Sequence, residues 1–103
     1  MPTLETVEDV QRLHRGHWFD AGAIRFFRTR FPDRRVYGGK YFVTSEQFVG
    51  SDGTKAPRKY SVRQVNPRTG DIETVGGAFN TYPSLKAAQG AIWALLNEED
   101  RNV

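Results

Sequence analysis

Residue types that do chemistry on their own are scarce in this chain. His14 and His17 stand three apart, but Gly16 lies between them and interrupts the helix that would bring them to one side. With no third ligand and no cysteine, two histidines make no metal site, and they read as cap or solvent-facing side chains. Gly38-Gly39-Lys40-Tyr41 lacks the spacing and the Ser or Thr of a phosphate-binding loop. Asp52-Gly53 lacks the acids that calcium needs. Ser45-Glu46 has no histidine near it in sequence to activate the hydroxyl. The reading is a non-enzymatic protein with no metal and no small-molecule cofactor, working by binding.

Arginine is what the chain supplies in quantity. Arg25, Arg28, Arg30, Arg34, Arg35 and Lys40 meet only Asp33 across their stretch. Guanidinium forks grip phosphates bidentately, and backbone phosphates dominate nucleic-acid affinity. The same residues also suit a solvated helix face whose aliphatic stems cover core aromatics, or an acidic protein surface. Residues 12 to 70 hold thirteen Lys or Arg against four acids, a surplus of +9, while residues 1 to 11 and 71 to 103 each carry −3. A basic centre between acidic ends favours a polyanionic partner. Lys59 and Arg63 add to it from one face of a strand, where Glu73 is expected to face outward as well and to pair with Arg63. Trp18 and Phe26 fall off the expected core stripe. Beside arginines they either stack on single-stranded bases, anchor a protein partner, or pack under the preceding helix.

The elements that must hold these residues follow from hydrophobic period. Leu4, Val7, Val10 and Leu13 predict a short helix over 4 to 14, capped by Thr3 and ended by Gly16. Asp20 as cap and Phe19 stapled to Ile24 open a second helix over about 20 to 30, with Ala23, Ile24, Phe27 and Phe31 toward the core and Pro32 as the stop. From residue 36 the period becomes 2. Strand one is expected over 40 to 46 with a kink at Gly38-Gly39, and 48 to 57 is a loop. Strand two, 58 to 65, is expected to be half-buried, with Tyr60 and Val62 in and Lys59, Ser61 and Arg63 out. Asn66-Pro67-Arg68-Thr69-Gly70 forms a tight turn into strand three, 71 to 75, and Gly76-Gly77 bends its end. Ser84 caps a final helix with a Leu85, Ala88, Ile92, Leu95 stripe, in which Gly90 suggests close approach to the sheet.

The fold class is therefore α+β: two short N-terminal helices, a three-stranded antiparallel β-meander with one wet face, and a C-terminal helix packed on the sheet. At 103 residues the chain has room for one domain, with 1 to 3 and 97 to 103 frayed. The N-terminus is not a signal peptide, and Ala91 to Leu96 is too short to span a bilayer, which points to a cytoplasmic protein without membrane contact.

Tyr60-Ser61-Val62-Arg63, the Pro-Arg-Thr-Gly turn, Ile72 to Gly76, Phe79 and an Ala-rich helix resemble AP2-type domains and the arm-binding domains of phage integrases. That resemblance covers about forty residues and implies a sheet laid in a DNA groove. The helix–strand order also matches double-stranded RNA-binding domains, but Lys86, Ala87 and Ala88 do not supply their basic helix-end motif. From residue 17 to about 95 the chain resembles small uncharacterised proteins of bacteriophages and mobile elements. The residues carrying this are His17-Trp18-Phe19, Arg25 to Arg30, Tyr41 to Glu46 and Arg58 to Arg63. It implies a phage or mobile-element origin in a bacterial host. The expected function is nucleic-acid binding through Arg25, Arg28, Arg30, Arg34, Arg35 and Lys40, aided by Lys59, Arg63 and Trp18. The alternative is a protein–protein interactor that inhibits or modulates a host enzyme or defence complex.

Overall fold

A computed structural model describes residues 4–14, 21–78 and 80–101. Helix α1 is Val7–Leu13. Its cap is Thr6, three residues after the Thr3 expected from sequence. Thr6 Oγ1 accepts from the Asp9 amide, and the Asp9 carboxylate accepts from the Thr6 amide at 3.0 Å and the Glu5 amide at 2.9 Å. This reciprocal box satisfies amides that a helix start otherwise leaves bare, and it needs an acid three residues on, which Thr6 has.

Helix α2, Ala21–Phe27, stops before the expected residue 30. Arg28 takes a left-handed conformation, φ 51°, and Thr29 N donates to Ile24 O at 2.9 Å, closing the last turn. Arg30 then pairs through its backbone with Ser45, 2.9 Å in both directions. Competition from sheet pairing, not Pro32, ends the helix. At Gly38-Gly39 the chain does not kink but reverses: Tyr37 and Tyr41 exchange backbone hydrogen bonds across the two glycines, both at positive φ. A side chain at Gly38 would also meet Leu96 Cδ2 at 2.6 Å.

Strands β1 (Tyr41–Glu46), β2 (Lys59–Val65) and β3 (Ile72–Val75) form an antiparallel sheet in the order β1-β2-β3. Val43 lies opposite Val62, and Val62 opposite Val75. The turn joining β2 to β3 is the expected one, with Gly70 at φ 80°. Gly70 is buried, its carbonyl lies 2.7 Å from His14 Nδ1, and a Cβ there would sit 2.9 Å from Leu13 O. The hairpin tip is thereby docked on the end of α1.

Helix α3, Leu85–Arg101, packs on one face of the sheet. Ser84 Oγ accepts from Ala87 N at 3.1 Å as its cap, and Ala88 and Ile92 are fully buried with Tyr41, Val43 and Val62. The helix continues through Asn97 to Arg101, past the expected start of a tail, and Glu99 is held there by Lys40 and the Tyr41 hydroxyl. Gly90 is exposed with open space around it, so it marks no approach to the sheet.

The second sheet face is not wet as expected. Leu4, Val7 and Val10 cover Phe42 and Val65, with Leu13, Phe31 and Ile72 at the edge. The sheet is a middle layer between α1 and α3, which is why all six residues of β1 are buried. Burial of both faces turns the outward-reading residues of β2 inward: Ser61 has no exposure and Arg63 only 8%.

Candidate anion-binding cleft

Where α2 ends, three chain segments meet around a cleft of about 410 Å³. Helix α2 and its left-handed exit contribute Ile24, Arg25, Arg28, Thr29 and Arg30; β1 contributes Gln47 just beyond its end; the loop before β2 contributes Lys55 and Arg58. Five of the eight lining residues are cations and none is an acid. Arg25, Arg28 and Arg30 are exposed, as is Lys55, whereas Arg58 is half-buried.

Arg58 is the structural centre of the cleft. Its Nη1 donates to Arg28 O at 2.9 Å, Ser45 O at 3.2 Å and Ser45 Oγ at 3.0 Å. One guanidinium thus clamps the carbonyl at the α2 exit to the edge of β1. Its pKa is drawn below the ordinary arginine value by burial first, then by the positive charge of Arg30, with Arg28 adding to it against the pull of Tyr60 and Glu46. Like charges gathered in this way repel one another, an arrangement that an anion placed among them would offset.

Beside the cleft stands an aromatic ridge. Phe26 is 79% exposed, Phe48 47% and Phe27 37%. Phe26 meets Phe27 edge-on at 4.9 Å between centroids, and Phe27 meets Phe48 edge-on at 6.4 Å. Two backbone bonds tie the ridge to the cleft: Gln47 N to Phe27 O at 3.3 Å and Ala56 N to Phe48 O at 2.9 Å. Phe27 was expected in the core stripe. The early end of α2 leaves it at the rim, while Phe31 reaches the core.

A family model matches the chain over residues 3–92. The chain belongs to DUF7447, a family of unknown function. No curated protein and no solved structure matches it.

Every cleft and ridge residue of this DUF7447 protein lies inside the matched span, which ends one residue before Trp93. Of the residues singled out in sequence, the structure gathers Arg25, Arg28 and Arg30. It disperses the rest. Arg34 pairs with Glu8, Nε to Oε1 at 2.5 Å, and this bond holds the Glu8 carboxyl below its usual range. Arg35 lies over the Tyr37 ring at 5.5 Å. Lys40 pairs with Glu99 at 2.5 Å, and this contact, followed by the Tyr41 hydroxyl, lowers the Glu99 pKa. Lys59 is half-buried opposite Glu46. Trp18 lies outside the described residues.

Arg63 is a correction. It is buried in a polar network, with Nε donating to Thr44 Oγ1 at 3.0 Å, Nη1 to Thr74 Oγ1 at 2.5 Å and Nη2 to Glu46 Oε1 at 3.2 Å. Its partner is Glu46, not Glu73, which pairs in register with Gln64 and so lies on the other face. Lys55 and Arg58 were missed. They carry only a weak signal, the basic run Lys55-Ala56-Pro57-Arg58-Lys59 before a strand.

A larger cavity of about 630 Å³ sits at the β2–β3 turn, but there Lys40 and Arg68 face Asp71 and Glu73, so it carries no net charge. Among the described residues there is no group of three or more potential metal ligands, and no helix is long and apolar enough to cross a membrane.

Proposed function

We propose that this DUF7447 protein is a non-enzymatic nucleic-acid-binding protein, an accessory factor of a bacteriophage or mobile element acting in the host cytoplasm. The observation that carries the reading is the cleft: five cations from three chain segments around one concavity, none of them ion-paired among the described residues. A merely solvated basic surface has no reason to gather cations from three chain segments around a half-buried guanidinium whose pKa is lowered by burial and by the charges of Arg30 and Arg28. The origin rests on the likeness of residues 17 to 95 to small phage and mobile-element proteins. The AP2 and integrase-arm likeness extends to the order of strands and helix only. Those domains read DNA with an open sheet face, and here both faces are covered.

The test is fluorescence anisotropy with labelled single-stranded DNA, duplex DNA and RNA across a salt series. With five cations engaged, log K should fall against log salt with a slope of about −3.5 on a single strand. In Arg25→Ala/Arg28→Ala/Arg30→Ala the slope should shrink to about −1.4 and affinity should collapse at moderate salt. Absence of binding at low salt sinks the reading.

One observation favours the second reading, a protein–protein interactor. Trp93 is 53% exposed on α3 and packs edge-on against Tyr37 at 5.3 Å, a fixed aromatic of the kind that anchors interfaces. Stoichiometric capture of one host protein without nucleic-acid affinity would support it.

A further inference from the structure

The ridge adjoins the cleft where Gln47 N donates to Phe27 O at 3.3 Å. We infer that the ligand is a single strand, with its phosphates in the Arg25, Arg28, Arg30, Lys55 and Arg58 cleft and its bases stacked on the ridge that begins at Phe26. This rests on the nucleic-acid reading and narrows it.

Three observations carry it. First, the cations line a concavity of about 410 Å³ and do not stand on a projecting element. Sites of roughly 300–1,000 Å³ hold one drug-sized unit. A single backbone can lower a phosphate into such a space, whereas duplex recognition uses a helix or ribbon that enters a groove. Among the described residues, the helix at the cleft is the seven-residue α2, and its Arg25 and Arg28 line the concavity. Second, the ridge is exposed where solvent contact is costly. Phe26 leaves 79% of its surface in water and is the next residue after Arg25, about 100° round the helix. Its ring meets Phe27, whose carbonyl accepts from the amide of cleft-lining Gln47 at 3.3 Å, so a strand leaving the cleft at Gln47 has the ridge beside it. Duplex bases are stacked on each other and have no use for such a ring, while unpaired bases stack on aromatics whatever their sequence. Third, Gln47, which precedes Phe48 of the ridge, already donates its Nε2 to Ala56 O at 3.1 Å, and stacking on an aromatic face accepts any base. Binding is consequently sequence-tolerant.

The experiment is competition anisotropy across a salt series from low to moderate concentration, with four probes of equal phosphate count: single-stranded DNA, single-stranded RNA, a duplex, and an abasic strand carrying sugar and phosphate alone. Wild type is compared with Phe26→Ala and Phe48→Ala, both at exposed positions, with folding checked by circular dichroism. The single strands should bind about tenfold or more tighter than the abasic strand and tighter than the duplex. Phe26→Ala should lose about five- to tenfold on base-bearing strands, lose nothing on the abasic strand, and keep the salt slope. Equal affinity for abasic and base-bearing strands, or preference for the duplex, overturns the single-strand inference and leaves the cleft reading standing. No binding to any probe at low salt overturns both, and the cationic cleft with its ridge is then an interface for an acidic protein.

Discussion

Arg63 and Glu46 offer the most exposed test of how this structure is read. The two are 8% and 2% accessible and meet at 3.2 Å between β1 and β2. Burial pushes the Glu46 pKa up and the Arg63 pKa down, each against the attraction of the other. Desolvation thus outweighs mutual attraction on both sides, so the intact pair contributes little net stability while a broken pair costs much. Arg63→Met keeps the volume and removes the charge. It leaves Glu46 Oε1 without its guanidinium, beside an Oε2 that already has no partner among the described residues. The expected cost at neutral pH is about 3–5 kcal/mol, a large share of the roughly 5–15 kcal/mol that holds a domain folded.

The double variant Arg63→Met/Glu46→Leu should lie within about 1 kcal/mol of wild type, a coupling of at least about 2 kcal/mol. Urea denaturation measures both, through midpoint shifts at constant slope. A pH series adds a second readout. In Arg63→Met the largest of the influences that lower the Glu46 pKa is lost, while Thr44 and Arg58 remain, so its folded pKa rises further above the unfolded value. The stability linked to Glu46 is then fully present below the unfolded carboxyl pKa and lost as pH rises through the folded one. The single variant should accordingly recover part of its deficit on acidification. A loss under 1 kcal/mol for Arg63→Met, or a double variant as unstable as the sum of the singles, would show that Glu46 does not depend on Arg63 in the folded protein. Nucleic-acid affinity of the folded double variant should be unchanged, because Arg63 does not line the cleft.

Two further outcomes are expected. Arg28→Gly should stabilise the fold by about 1 kcal/mol in thermal melts, because glycine adopts the φ of 51° without strain, while the salt slope of single-strand binding shrinks by about 0.7. Tyr41 is pushed up to about 12 by burial, its hydrogen bond to Glu99 and the charges of Glu99 and Glu98, so its contribution is complete below the free phenol pKa and is lost as pH rises through about 12. Wild type should therefore lose roughly 2–3 kcal/mol between pH 10 and 12 that Tyr41→Phe does not lose, measured by urea midpoints at each pH.

What could be read from the sequence follows the range of the interactions. The order of helices and strands was legible because period and turn chemistry are local: the Asn66 to Gly70 turn, the Ser84 cap and the Ala88–Ile92 stripe all stand as expected. The helix ends were not, because Arg28 leaves α2 for a pairing between Arg30 and Ser45 that no local pattern announces. The same pairing explains the site. Arg25, Arg28 and Arg30 form one sequence cluster, but Lys55 and Arg58 join them only through the β1–β2 register and the bridge at Ser45. Arg63 was misassigned because alternation in β2 was read as inside against outside. It is inside against inside once α1 covers the second face, and the unbroken Tyr41-Phe42-Val43-Thr44 run was the clue.

Charge placement connects the fold to the proposed role. Eight of the twelve acids lie in residues 1 to 11 and 71 to 103, and the fold brings several acids onto particular cations. Glu8 on α1 reaches Arg34, Glu99 on α3 reaches Lys40, Asp9 pairs with Arg12 inside α1, and Glu46 is consumed by Arg63. Each of these pairs neutralises a base away from the cleft, and no ion pair among the described residues reaches the five cations within it. A net charge of +3 therefore understates what a partner meets. Potential inside a concavity is focused by its low-dielectric walls, so an unpaired cluster there attracts anions more strongly than the same charges spread over a sphere. Moving one acid into the cleft tests this directly: Gln47→Glu should cost more single-strand affinity than an acid placed at exposed Gly90, although both change the net charge equally.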